Sequence, residues 1–275
     1  RMGLNSQKLR ELNPDIIEAH ITAYGWDGPY AHKPGVDPLA QAIIGLERAQ
    51  GGYDNQPVMV RLAPTDYTAG ALGALGVVMA LFARERFGVV QKVDTNLLNA
   101  GIFISSEYFI KYDDKPPRQL TDKYHYGLSA LHRVYETKTG WIYIIVETDK
   151  DWNSLCEIFD CGDIFPNVNY GSVELRMRND KYIANFLTDI FKSNDMESLL
   201  RLFEGKKIPC APVMDEETSV FFSDPQVISN DMVIVHQHPR IGWLKLTQNE
   251  VKFEDINPVY GRPTPLLGQH TDEVL

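Results

Sequence analysis

Apolar and polar positions along this chain switch between a helical period and a strand period, and the switches outline its elements. Leu9 and Leu12 share a helical face behind Asn5 and Ser6, which suit a helix start, so residues 5–12 predict a short helix that Asn13-Pro14-Asp15 breaks. The β-rich, apolar run from Ile16 to Tyr24 predicts a buried strand. It leads into Gly25-Trp26-Asp27-Gly28-Pro29-Tyr30 and Lys33-Pro34-Gly35, a long loop rich in Gly and Pro. In open α/β sheets a loop in that position lies at the ligand end. Asp37-Pro38 then predicts a helix to about Gly45, with the proline in its first turn.

Ala63-Pro64-Thr65-Asp66 is a helix-start signal, and the helix it opens runs to Gly88. Gly70, Gly73 and Gly76 recur inside it at every third position. Each costs roughly 1 kcal/mol relative to Ala, a cost usually offset by close approach of another element or a ligand. Gln91–Thr95 predicts a strand and Asn96–Lys111 a helix. The polar, Pro-containing stretch 113–130 then reads as a linker. Beyond it, His132–Thr137 and Trp141–Val146 predict a hairpin through Lys138-Thr139-Gly140, with helices over 149–160, 174–192 and 195–204. Ile234–His238 and Trp243–Thr247 predict a second hairpin, and the tail from Pro263 is rich in turns.

Composition narrows the function. Among 275 residues, 37 acidic side chains exceed 27 Lys and Arg, for a net charge of −10. That argues against nucleic acid or an anionic membrane bound through a broad basic face. Cys156, Cys161 and Cys210 are odd in number and irregular in spacing, which fits a reduced, cytoplasmic protein; a mitochondrial or peroxisomal setting is the alternative. The seven His are scattered, with no zinc-binding spacing and no metal expected. The apolar run Ala69–Ala83 is shorter than a bilayer span and ends in Arg84-Glu85-Arg86, so it predicts a buried helix rather than a membrane segment. The opening Arg1-Met2-Gly3 reads as the start of a fragment or of a processed product.

Asp66 is the residue singled out for chemistry. At a helix start a carboxylate can be an N-cap, accepting backbone N–H groups. It can also stay ionised, attack an activated acyl group, and let nearby N–H groups hold the oxyanion. Asp37 stands at a second helix start and invites the same two readings. Lys33 is a local cation in an acidic chain, Trp26, Tyr30 and Tyr126 are candidate pocket walls, and His20 reads as a core histidine. Ser105-Ser106 lacks the strand–turn–helix context of a hydrolase nucleophile. The glycines at every third position lie within a helix and do not form a phosphate loop.

These segments together resemble the class III CoA-transferases, the family of formyl-CoA transferase, carnitine CoA-transferase and the α-methylacyl-CoA racemases. The resemblance runs from Arg1-Met2-Gly3-Leu4 and Leu12-Asn13-Pro14 through Gly25–Ala31, Lys33–Asp37, Asp66-Tyr67-Thr68-Ala69-Gly70, Arg84–Gly88 and Gln91–Asp94. It continues in Gly140-Trp141, Ile208–Val213 and Pro265–Leu275.

The resemblance implies an α/β fold: a Rossmann-like large domain, incomplete here, and a smaller α+β domain. It also implies a homodimer of interlocked chains, or a second chain supplying the N-terminal part. On that basis residues 1–112 are the end of the large CoA-binding domain, 113–130 the linker, 131–247 the small domain, and 248–275 a segment returning to the large one. The implied reaction moves coenzyme A from an acyl-CoA to a small carboxylic acid. Asp66 is the implied nucleophile, passing through a mixed anhydride and an aspartyl-CoA thioester, with Asp37 assisting. Arg1, Met2, Tyr30 and Lys33 are the implied CoA contacts. Val36 stands where the racemases carry a histidine, which argues against racemisation. Tyr124–Ser129 holds one glycine where formyl-CoA transferase has a glycine-rich loop, so a different acid is expected. A racemase or isomerase on the same scaffold, and a non-catalytic truncated subunit, are the alternatives.

Overall fold

The computed structural model describes residues 5–214, 218–247, 251–255 and 263–275. The chain divides into two compact units, Arg1–Pro212 and Val213–Leu275.

The first unit begins with α1 (Ser6–Leu12), which Asn5 caps through its side chain, and β1 (Glu18–Thr22). Helices α2 (Asp37–Ile43), α3 (Leu46–Gly51) and α4 (Pro64–Phe87) follow, then β2 (Lys92–Asn96) and α5 (Leu97–Ile104). Strands β1 and β2 pair in parallel, from Glu18 opposite Lys92 to Thr22 opposite Asn96. Parallel neighbours need a crossover, and α2, α3 and α4 lie on it. Small residues set the packing here. Ala40, Ala69, Leu97 and Ala100 form a buried cluster joining α2, α4 and α5. Gly73 and Gly76 bring α4 onto the strands: a methyl at Gly73 would stand 2.8 Å from the Ile21 side chain, and one at Gly76 2.5 Å from that of Val93. Gly88, at φ 65°, ends α4, its N–H donating to the Arg84 carbonyl at 2.9 Å.

The expectation of a buried helix holds only for the strand-facing side of α4. Leu75, Val78, Met79 and Phe82 are exposed. By length and composition alone α4 could cross a membrane, yet one side of it is occupied by β1 and β2.

The helix predicted over 96–111 ends at Ile104. There the Ser105 hydroxyl donates to the Gly101 carbonyl at 2.6 Å, and a 3-10 turn takes over at Ser106–Phe109. The next elements are β3 (Gly127–Ser129), the predicted hairpin β4 (His132–Thr137) and β5 (Gly140–Ile145), and α6 (Asp149–Ile158), whose Thr148–Asp151 capping box fixes its start. The helix expected over 174–192 is interrupted. After α7 (Asn167–Tyr170), α8 (Val173–Arg178) stops at Asn179 and α9 (Asp180–Ser193) restarts. Asn179 donates to the Leu175 and Asn169 carbonyls through its side chain, which competes with helical continuation. Helix α10 (Met196–Lys206) and β6 (Cys210–Val213) follow, and the strands stand in the order β3-β4-β5-β6. The sequence reading did not anticipate β3 and β6; β6 carries one proline, Pro212, as an edge strand tolerates. A dense core, with Trp152, Tyr135, Phe191, Phe203, Ile142 and Ile144 among its members, fills the space between this sheet and α6, α9 and α10.

The second unit contains α11 (Thr218–Phe221), α12 (Pro225–Ser229), the predicted hairpin β7 (Val233–His238) and β8 (Gly242–Thr247), and α13 (Thr271–Val274). His238 is buried and its Nδ1 accepts from the Arg240 and Ile241 amides, each at 3.1 Å, which closes the turn. This assigns the ring proton to Nε2.

Candidate active site

Asp66 occupies the third position of α4, not its cap. Ala63 is the cap residue, and it makes no side-chain capping bond. The capping carboxylate comes from Asp37, which is nearly fully buried in the first turn of α2. Asp37 Oδ2 accepts from the Thr65 N–H at 2.8 Å, the Thr65 hydroxyl at 2.6 Å and the Asp66 N–H at 3.1 Å. It is not the cap of its own helix either, since that position belongs to Val36. The two acidic helix starts are therefore one structure. An acid on α2 caps α4, across a chain separation that no local spacing rule covers.

The consequence for α4 is that its first-turn donors are all in use. Pro64 has no N–H, Thr65 and Asp66 donate to Asp37, and Tyr67 donates to the Ala63 carbonyl at 3.0 Å. The expectation that these amides would hold an oxyanion is corrected here. The Asp66 carboxylate, in contrast, is exposed and makes no hydrogen bond or ion pair among the described residues. It is an exposed carboxylate on the first turn of α4, with its own N–H held by Asp37.

Burial on its own would raise the Asp37 pKa. The hydrogen bonds from Thr65, Gln41 and the Asp66 and Thr65 amides outweigh it and hold the carboxyl below its ordinary value of 3.8. Gln41, fully buried one turn along α2, donates to Asp37 Oδ1. The same side chain also donates to the Val60 carbonyl at 3.1 Å and accepts from the Val60 N–H at 3.2 Å. The sequence reading missed Thr65 and Gln41 as site residues. The i, i+4 spacing of Asp37 and Gln41 was the available signal.

The loop after β1 makes contacts both within itself and to β2. Trp26 donates to Asp94 Oδ1 at 2.7 Å, and Tyr24 and Tyr30 meet edge to face at 5.7 Å. Lys33 Nζ lies 4.3 Å from the centre of the Tyr30 ring, and both side chains are exposed. Two of the predicted CoA contacts thus form one cation–π pair, although no hydrogen bond or ion pair joins them to Asp66 among the described residues. Arg1 and Met2 lie outside the described residues. Tyr126, the other candidate pocket wall, is half-buried and lies between the rings of Tyr124 and Trp141, with centroids 5.8 and 5.7 Å away. His20, on β1, contacts Glu18 through Nε2 and lies 4.8 Å from the Trp26 ring.

The fold and sequence have known counterparts. Crystal structures of Rv3272 from M. tuberculosis and of a CAIB/BAIF family protein from Brucella suis each superpose with a TM-score of 0.82 over 99% of this chain. They are 21% and 22% identical to it, and the match covers 72% and 70% of their respective chains. Succinyl-CoA:glutarate CoA-transferase of Homo sapiens is 30% identical over the whole of this chain, which spans 62% of that protein. Succinate--glutarate CoA-transferase of Agrobacterium fabrum is 27% identical, again over the whole chain and over 68% of its own length. The family model described as CoA-transferase family III matches residues 1–271. This chain belongs to CoA-transferase family III.

Proposed function

We propose that this chain carries the nucleophile of a CoA-transferase, Asp66, and moves CoA from an acyl-CoA to a carboxylic acid. The observation that carries the reading is the exposed Asp66 carboxylate, unpartnered among the described residues, on a helix turn whose Thr65 and Asp66 amides Asp37 has already taken. A carboxylate suits thioester exchange because its anhydride and its thioester lie close in energy to substrates and products, so each step can run both ways.

The steps balance without an outside reagent. An Asp66 oxygen attacks the thioester carbonyl, the C–S bond breaks, and CoA leaves as a thiolate with a mixed anhydride on Asp66. The thiolate attacks the aspartyl carbonyl of that anhydride, forms an aspartyl-CoA thioester and releases the donor acid as a carboxylate. The acceptor carboxylate attacks this thioester and expels the thiolate again, and the thiolate takes the acceptor acyl group and frees Asp66. Oxyanion stabilisation has to come from donors other than the first turn of α4. Tyr30 and Lys33, with Arg1 and Met2, are proposed to contact CoA, the Lys33 cation facing its phosphates.

The relatives' names refer to succinyl-CoA with glutarate, mesaconate or malate, which supports short dicarboxylic acids as the substrate class here. The resemblance also supports completion of the β1–β2 pair into a Rossmann-like sheet and assembly as an interlocked homodimer.

The test uses the full polypeptide that contains this chain. It is mixed with succinyl-CoA, quenched with hydroxylamine or borohydride, and its intact mass is read. A modification mapping to Asp66 and missing in Asp66→Ala is the expected outcome. CoA binding without an adduct, together with exchange of the substrate α-hydrogen for deuterium, would instead establish racemase or isomerase chemistry. Failure to bind CoA would leave a non-catalytic subunit.

A further inference from the structure

The Asp37 carboxylate bridges two helices, Oδ2 bonded to Thr65 and the Asp66 amide on α4 and Oδ1 to Gln41 on its own helix. We infer that Gln41 is a positioning residue for the reaction: it aims Asp37 at the first turn of α4 and thereby leaves the Asp66 carboxylate free. This inference rests on Asp66 being the nucleophile.

An ionised carboxylate has two oxygens and no proton, and the side chain of Asp37 can rotate to present either oxygen, or both, to a neighbour. Oδ2 is committed to Thr65 and to the Asp66 amide, and Oδ1 to the Gln41 amide group. Gln41 itself cannot turn over. Its Nε2 donates to the Val60 carbonyl while its Oε1 accepts from the Val60 N–H, so the amide is pinned in one sense against the segment that enters α4. A flipped amide would set Oε1 against both Asp37 and the Val60 carbonyl, oxygen facing oxygen. Gln41 therefore fixes two things at once: the path of residues 60–62 into α4, and which way Asp37 faces. Both Gln41 and Thr65 have no exposed surface, so water cannot substitute for either.

Without this arrangement the first-turn amides of α4 lose their acceptor. One alternative acceptor is the carboxylate of Asp66 itself, which stands in the same turn. A nucleophile that bonds to its own helix terminus is a poorer one. The groups facing Asp37 are Gln41 from α2 and Thr65 with the Asp66 amide from α4. The Asp66 side chain is the only titratable one among those residues, and no ion pair reaches Asp37 among the described residues.

Two variants of the full polypeptide test the role, with succinyl-CoA and glutarate as the probe substrates. Gln41→Met keeps the volume and removes the amide. We expect kcat to fall about tenfold to a hundredfold, as for a buried acceptor left without its donor, with KM for succinyl-CoA within about twofold of the parent. Gln41→Glu keeps the shape but sets two carboxylates together, so at neutral pH it should lose as much. Its kcat should then recover as the pH falls, once the introduced carboxyl takes a proton and can donate to Asp37. A purely structural role would change the folded fraction with pH and leave the kcat of the folded enzyme unchanged. Parent-like kcat in both variants, or equal losses with the same pH profile, would overturn the proposal. Amide hydrogen exchange separates this proposal from the functional reading. If the parent forms no Asp66 adduct, the functional reading fails and takes the part of Gln41 in the reaction with it. Faster exchange at Thr65 and Asp66 in Gln41→Met would still establish the positioning geometry, and unchanged exchange would overturn that as well.

Discussion

At the scale of single residues, Asp37 does what sequence spacing could not reveal. The sequence located both acids and both helix starts, because Pro38 and Pro64 mark them plainly. It could not show that one acid caps the other's helix, since that contact depends on the packing of α2 against α4. Replacing Asp37 by Ala leaves two buried amides and a hydroxyl without their acceptor, and is expected to lower stability by about 2–3 kcal/mol. Urea unfolding followed by circular dichroism measures this. The pH dependence has a definite sign. The folded-state pKa of Asp37 lies below its ordinary value of 3.8. Its stabilising contribution is therefore present above that pH and is lost as the pH falls through the folded-state value. Asp37→Asn should be less stable than the parent at neutral pH, with the gap narrowing below pH 3.8. A gap that stays constant into acid would mean that the Asp37 charge contributes nothing.

At the scale of elements, the glycines of α4 divide into two kinds that look identical in the sequence. Gly73 and Gly76 are small because strand side chains lie against them, whereas a methyl at Gly70 would meet nothing within 4 Å beyond the helix's own adjacent backbone. Gly76→Ala should therefore destabilise by about 1–3 kcal/mol through overpacking against Val93. Gly70→Ala should stabilise by up to about 1 kcal/mol through helix propensity alone. Thermal unfolding of the pair decides the matter: a destabilising Gly70→Ala would mean that something packs there. The periodicity announced a close approach but could not say which side of the helix makes it, because three residues per step turn the face gradually. The breaks at Ser105 and Asn179 were hidden for a related reason. Both depend on a side chain bonding to a carbonyl of the preceding turn, which competes with a helix that local propensity would otherwise extend.

At the scale of the whole molecule, the first unit has two cores of very different size. One joins β4 and β5 to α6, α9 and α10 through several large aromatic side chains; the other joins α2, α4 and α5 mainly through alanines. Buried apolar area governs resistance to unfolding, so the two should not melt together. Native-state hydrogen exchange is expected to show opening of residues 37–104 at lower denaturant than residues 130–208. A single shared transition would contradict this. The sequence outlined the hairpins and most helices well, since their patterns are local. It gave a weaker account of the cores, because cluster size depends on which faces meet.

The parallel pairing of β1 and β2 has one more consequence, and it concerns time. Residues 23–91 all lie between the two strands, and Asp37, Gln41, Thr65 and Asp66 are all among them. Closing so long a loop is entropically slow, and contacts between distant parts of a chain form after local ones. The hairpins can zip early, while the acid pair comes together only as the crossover settles onto its strands. Competence for chemistry should thus be among the last properties a newly made chain acquires, well after most of its secondary structure is in place.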